Sequence, residues 1–317
     1  MQCRWCGRGW WRFGNNGYGI IMTQNEFAIH QLKSLNLEVA SIEEVQKWAK
    51  CIQIPIVATE IIEGTYICRA RRGKGYIRWE DVTYRPAKDC TNLQRASLPG
   101  KTVLYGVISD DQHHLENGRA IGVAECSKLA ASGKDSVGKE YISNSQWIVK
   151  QPIQTACIVS KDSYNGVENN VLLNVIKSDF IAKFGGNQEA INLASFVEGE
   201  FSKIVKPSCD YEYKISAVIS DLLLNTYDFD AIAYPSVKMG GQVGLNIAIR
   251  PDTVDSKLVL DNIADQCYYK NGEEGIVEIE RVFYVTQQCY WEENQISKEI
   301  IAEKIGLKTL ADLPLIN

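Results

Sequence analysis

The sequence predicts a mixed α+β protein on three observations. Apolar, β-branched runs such as TVLYGVIS (102–109) and GLNIAI (244–249) have the composition of buried strands. The segments VLLNVIKSDFIAKF, QEAINLASFVEGEFSKIV and YKISAVISDLLLNTY repeat apolar residues at spacings of three and four, and read as helices. Towards the carboxyl end, KLVLDNIADQCYYKNGEEGIVEIERVFYVT reads as two strands around an Asn271-Gly272 turn.

Taken in order, residues 1–21 are rich in Gly and Trp without periodicity and are expected to form a tail outside the fold. Cys3 and Cys6 make one CxxC, but a structural zinc site needs four ligands, and Cys51 and His30 supply no second pair at a normal spacing. No metal site is therefore predicted. Residues 22–63 read as a helical segment, with helices over 24–35 and 41–52. The second opens on Ser41-x-x-Glu44, whose hydroxyl and carboxylate can satisfy the unpaired N–H groups of the first turn reciprocally.

TYICRA follows as a strand, with Tyr66, Cys68 and Ala70 on one face and Ile67 and Arg69 on the other. Arg71 and Arg72 are expected in solvent. Arg95 and the Pro99-Gly100 turn lead into the strand that carries Tyr105. After a polar loop, GRAIGVAECSKLA reads as a helix with Ile121, Ala124 and Leu129 on one face, and Tyr105 and Glu125 can meet across that loop. The second informative stretch is AIAYPSVKMGGQVGLNIAIRP (231–251), where a short strand stops at Pro235-Ser236, passes a glycine hairpin and returns through Asn246. Between these stretches IQTACIVS is a strand, and the three helices make an insertion over about 165–228. A helix near 296–305 lies within the closing segment, 291–317.

Composition sets bounds on function. The chain has 317 residues, 45% of them hydrophobic and 23% charged, enough for a sizeable core in one large domain or two. A net charge of −5 lacks the basic surplus of a nucleic-acid binder, although RARRGKGYIR (69–78) is a local basic patch. No apolar run approaches the roughly 18 residues of a membrane span, and MQCRWCGRGWW has no apolar core of a signal peptide. The 10 cysteines are scattered, several of them inside apolar strands, as expected of a reduced cytoplasmic protein.

Several chemistries are disfavoured. His30, His113 and His114 are the only histidines, no GxSxG elbow accompanies Ser236, and there is no GxxxxGK[ST] loop. Glu116 and Glu125 are the candidate carboxylates by sequence proximity, and only Glu125 belongs to a helix with an apolar face.

In this order the motifs resemble the RES domain, named for its Arg, Glu and Ser. The resemblance rests on Arg69 in TYICRAR, on RASLPGKTVLY from Arg95 to Tyr105, on Glu125 in AIGVAE, and on Ser236 and Asn246 in YPSVKMGGQVGLNIAI. It covers roughly residues 64–260 and sets a RES-like domain at 64–290. Two departures stand out: RAS where the family often has an asparagine after the alanine, and a longer spacing from Tyr105 to Glu125.

The resemblance implies an ADP-ribosyltransferase-like fold of mostly antiparallel sheets with flanking helices. It also implies NAD+ as a substrate, with no other cofactor. RES proteins are NAD+-degrading toxins, NAD+ phosphorylases or glycohydrolases, with some ADP-ribosyltransferases. Arg69 and Arg95 would then grip the pyrophosphate, Tyr105 would contact nicotinamide or its ribose, Glu125 would stabilise an oxocarbenium ion, and Ser236, with Asn246 nearby, would position ribose or phosphate. These residue types suit the chemistry. A fixed carboxylate stabilises developing positive charge, guanidinium forks match phosphate oxygens, and an aromatic ring holds a cationic pyridinium.

Three readings follow: an NAD+-consuming enzyme acting by phosphorolysis or hydrolysis, a macromolecule-directed ADP-ribosyltransferase, and a non-catalytic regulator that binds NAD or ADP-ribose. An antitoxin or regulatory protein is the partner class left open. Neither nucleic acid nor membrane is expected as a partner.

Overall fold

The computed structural model describes residues 3–6, 10–13, 20–109, 115–163, 171–206, 208–236, 245–291, 297–311 and 313–316, with backbone alone for those up to 21 and for 115–117. The loop with Asp110, Asp111, His113 and His114, the Glu116 side chain, the Cys3 and Cys6 thiols and the Gly240-Gly241 hairpin lie outside the described residues. The protein is mixed α/β, with a large, mostly antiparallel sheet and several helices.

Within the first 23 residues three short strands are described. β1 (Cys3–Cys6), β2 (Trp10–Phe13) and β3 (Ile20–Thr23) pair antiparallel, with Cys6 opposite Trp10 and Phe13 opposite Ile20. The aromatic and β-branched content of WWRF and IIMT suits strands, but the segments are too short to show a period. α1 (Gln24–Ser34) starts at once, because Thr23 and Glu26 form a capping box, Thr23 Oγ1 accepting from the Glu26 amide at 3.1 Å. α2 (Ile42–Ala49) has the expected box at Ser41 and Glu44, both bonds 3.2 Å long.

β4 (Val57–Ile61), β5 (Tyr66–Arg72), a short α3 (Trp79–Val82) and β6 (Leu104–Ser109) lead to α4 (Leu115–Cys126) and α5 (Lys128–Ala131). The helix expected through GRAIGVAECSKLA is thus two, broken at Ser127, whose hydroxyl caps α5 by accepting from the Ala130 amide at 2.8 Å.

β7 (Val137–Val149) is the element that pattern reading omits. Its centre, Ser143-Asn144-Ser145-Gln146, is polar on both faces yet 0–4% exposed. β8 (Ile153–Cys157), α6 (Val171–Phe184), α7 (Gln188–Phe201) and α8 (Lys214–Asp221) follow as expected, α8 continuing into a π-helical turn at Leu222–Thr226. β9 (Ala231–Pro235), β10 (Leu245–Ile249), α9 (Pro251–Lys257), β11 (Leu258–Asn271), β12 (Glu274–Tyr284), β13 (Cys289–Trp291) and α10 (Lys298–Lys304) complete the order. Between β11 and β12, Gly272 takes the left-handed φ of +65° that the Asn-Gly turn requires.

Two compact units result. The first comprises 1–59, 85–103 and 154–237, the second 60–84, 104–153 and 238–317. In the first, α1 packs on α2 and α7, and α2 on α8, so the two amino-terminal helices share a body with the helical insertion. β8 runs parallel to β9 there, with Thr155 opposite Ala231. In the second unit β13, β12, β11, β7, β5, β6 and β10 lie side by side in that order, every pair antiparallel.

The polar centre of β7 is buried at low cost because its partners are arranged around it. Ser143 donates to Asp265 at 2.7 Å. Asp265, 2% exposed, also accepts from the Gly75 amide and, at 3.0 Å, from Arg281 Nε. Trp147 donates to Ser145 at 3.0 Å, and Asn262 to Gln146 at 3.0 Å. A buried polar group costs little once its hydrogen bonds are made, as at Ser143, Ser145 and Gln146, whereas Asn144 donates to the Arg119 carbonyl at 3.4 Å and its Oδ1 has no donor among the described residues.

Candidate functional site

The site is built on the second unit, where α4 crosses the strands at touching distance. Gly118 and Gly122, one turn apart, make this approach possible. A Cβ at Gly118 would stand 3.0 Å from Cys68 Sγ, and one at Gly122 3.0 Å from Ala70 Cβ and 3.1 Å from Asn144 Nδ2. The helix therefore lies on the Cys68 and Ala70 face of β5, as strand alternation predicts. Ile67 and Arg69 start from the other face.

Two of the predicted residues meet through side chains. Asn246 on β10 donates from Nδ2 to Glu125 Oε1 near the end of α4, at 3.1 Å. Asn246 is 9% exposed and Glu125 half-buried. Tyr105 belongs to the same face. It pairs with Ala248 while Val107 pairs with Asn246, which makes Tyr105 and Asn246 diagonal neighbours on adjacent strands.

Arg69 reaches the same neighbourhood from the other side. The ladder between β5 and β6 ends at Cys68↔Val107, and just beyond it Arg69 Nη1 donates to the Tyr105 carbonyl at 2.8 Å. The guanidinium thus closes the fork where the strands part. Arg71 and Arg72 are not the solvated pair expected: Arg71 donates to the Asp81 carbonyl, and Arg72 Nε lies 2.6 Å from Glu140 Oε1. Glu140 is 1% exposed. Burial pushes its carboxyl up, but the Ser127 hydroxyl, the Leu129 amide, Arg72 and the Lys128 amide together outweigh that and hold it below the usual carboxylate range.

Arg95 and Ser236 belong to the first unit. Arg95 donates to the carbonyls of Phe201 and, at 2.8 Å, Lys203, with its guanidinium 5.1 Å from the Tyr213 ring centroid. Those acceptors lie at the carboxyl end of α7, where helix carbonyls lack partners within the helix, so this arginine acts as a cap. Ser236 follows β9 and is 0% exposed.

Sequence reading passed over Arg119, in NGRAIG one residue after the first close-packing glycine. Its Nε is buried with no acceptor among the described residues, as are the hydroxyl of Ser109 and Oδ1 of Asn144 with no donor. Cys68, beneath Gly118, is pushed up to about 12 by burial, against the opposing pull of Arg119. The signal in sequence was the glycine pair at helical spacing, which marks α4 as a helix pressed against its neighbour. Among the described residues no cluster of His, Cys, Asp and Glu is arranged to hold a metal ion, and no helix is long and apolar enough to cross a membrane.

Fold and site define a mixed α/β protein whose antiparallel sheet carries, on one face, a carboxylate anchored by an amide. No family model and no curated protein matches the chain. Among solved structures it is similar to that titled "Crystal structure of the M.tuberculosis MbcT-MbcA toxin-antitoxin complex", with a TM-score of 0.28 and 10% identity, over 77% of this chain and 93% of that one.

Proposed function

We propose that the chain is an NAD+-consuming enzyme that cleaves the bond between nicotinamide and ribose, passing the ribosyl carbon to phosphate or water. The observation that carries the reading is the Asn246–Glu125 bond, which anchors a carboxylate near the end of α4, with Tyr105 the diagonal strand neighbour of Asn246. As the bond breaks, nicotinamide leaves neutral with the electron pair, and positive charge develops on the ribose. A carboxylate that is already oriented stabilises that charge without reorganising, and such preorganisation is usually the largest catalytic contribution.

In this reading Glu125 faces the ribosyl cation, and Asn246 positions it through Oε1. Tyr105 offers a ring to the cationic pyridinium. Arg69 and Arg119 supply guanidinium groups for the pyrophosphate. The family pattern also includes Arg95 and Ser236, both in the first unit. Arg95 already donates to two helix carbonyls, so its part is that of a scaffold.

Mass spectrometry of NAD+ incubated with the purified chain, with and without inorganic phosphate, tests the proposal. If water is the acceptor, nicotinamide and ADP-ribose should appear in both samples; if phosphorolysis is the reaction, nicotinamide and ADP-ribose-1″-phosphate should appear only with phosphate. NAD+ left intact over hours at micromolar protein would sink the reading.

A further inference from the structure

The first unit contains a cavity of about 580 Å³ that the proposed chemistry does not use. Ile54, Pro55, Leu193 and Leu223 form apolar wall, with Leu193 and Leu223 each 1% exposed, and Phe184, Tyr227 and Phe229 supply three aromatic rings. Its polar groups gather at one place. Asn25 donates from Nδ2 to Glu189 Oε1 at 3.0 Å and accepts from the Gln53 amide at 2.9 Å, which fixes Glu189 in the wall. Glu189 is the only carboxylate among the described lining residues, and no lysine, arginine or histidine is among them to neutralise it.

The backbone beside the cavity is irregular. α8 runs into the π-helical turn at Leu222–Thr226, and Asp228 then adopts a left-handed φ of 60°, a conformation uncommon outside glycine. The residues on either side of Asp228 are the aromatic pair Tyr227 and Phe229 that line the cavity. π-helical turns in α-helices are found frequently at functional sites. A volume within the ~300–1,000 Å³ range of ligand pockets, apolar walls and a single oriented charge are the usual ingredients of a small-molecule site.

We infer that this cavity binds a small molecule with a flat aromatic body and a positively charged nitrogen, the ring between Tyr227, Phe184 and the aliphatic wall and the cation on Glu189. A buried or half-buried carboxylate favours such a ligand by a charge-assisted hydrogen bond, and the rings add cation–π attraction. An anion would meet Glu189 with no basic side chain among the described lining residues to offset it.

The test titrates the full chain with tryptamine, indole and indole-3-propionate, following the backbone amides of Glu189, Leu193 and Tyr227 by NMR. Tryptamine should approach saturation by about 10 mM, a fair affinity for so small a molecule, and indole-3-propionate should bind at least about tenfold more weakly. Glu189→Gln should cost tryptamine about tenfold and leave indole unchanged, the loss of one charge-assisted bond. Ala190→Trp, which narrows the cavity, should abolish both. The inference is overturned by failure of tryptamine to bind, by equal affinity for the propionate, or by full tryptamine affinity in Glu189→Gln. The same holds if full affinity persists in an Ala190→Trp protein that unfolds at the wild-type temperature. NAD+ turnover is a separate readout, so the cavity and the proposed activity stand or fall apart.

Discussion

Asn246 and Glu125, 121 residues apart in the chain, are joined by a 3.1 Å hydrogen bond from the amide Nδ2 to the carboxylate Oε1. The bond restrains the carboxylate through Oε1. If that orientation serves catalysis, the two residues should fail in different ways. Glu125→Gln keeps shape and hydrogen bonding but removes the charge, and should lower kcat about 10²-fold or more with KM little changed. Asn246→Ala leaves the charge and frees its position, and should lower kcat about tenfold. Equal KM effects and unaltered kcat in both would show that the pair is structural.

Arg69 should tolerate lysine poorly. Its guanidinium donates to the Tyr105 carbonyl as part of a planar fork, whereas an ammonium makes a point contact and cannot present one. Arg69→Lys should therefore lower kcat/KM more than about tenfold, about 1.4 kcal/mol or more of transition-state binding. Arg72→Lys should instead lower the unfolding temperature with kcat/KM retained, because its partner is the buried Glu140. Steady-state kinetics beside thermal melts separate the two.

Glu140 makes stability depend on acid pH. Its carboxyl lies below its ordinary range in the fold and returns to about 4.3 in the unfolded chain, so the unfolded chain binds more protons in acid. The contribution is complete above about pH 4.3 and is lost as pH falls through the lower, folded value. Glu140→Gln should be less stable than wild type at about pH 7, and denaturant melts should show that gap closing below about pH 4. A gap independent of pH would rule this account out.

Two glycines in helices should respond with opposite signs. Gly199 in α7 has open space where a methyl group would stand, with no atom within 4 Å, so Gly199→Ala should raise stability by about 0.5–1 kcal/mol. Gly122 has Ala70 and Asn144 at 3.0 and 3.1 Å, so Gly122→Ala should lift α4 from β5, destabilise by about 1–3 kcal/mol and displace Glu125. Thermal unfolding of both variants, with NAD+ turnover for the second, gives the comparison.

Much of the local structure was legible in sequence, because caps and periodicity act over a few residues. Ser41 with Glu44 marked α2, and Asn271-Gly272 marked the β11–β12 turn. β7 was not legible: in Ser143-Asn144-Ser145-Gln146 both faces are polar, and the partners that permit burial, such as Asp265 and Asn262, lie more than a hundred residues away. The surroundings of Arg95 were hidden for the same reason, since its acceptors Phe201 and Lys203 are 106 and 108 residues on. The residue types of the candidate site could be read as a set from a family pattern. The bond between Glu125 and Asn246, and the burial of Arg119 Nε on α4, required the fold.

The polarity of β7 also matters while the chain is being made. β7 is finished at Val149, but its long neighbour β11 begins only at Leu258, so one edge of β7 waits through more than a hundred residues of synthesis. An apolar strand left open for that interval would be a template for pairing with other nascent chains. Ser143, Asn144, Ser145 and Gln146 give it little reason to do so. The feature that hides this strand from pattern reading should thus limit pairing with other chains until its own partner is made.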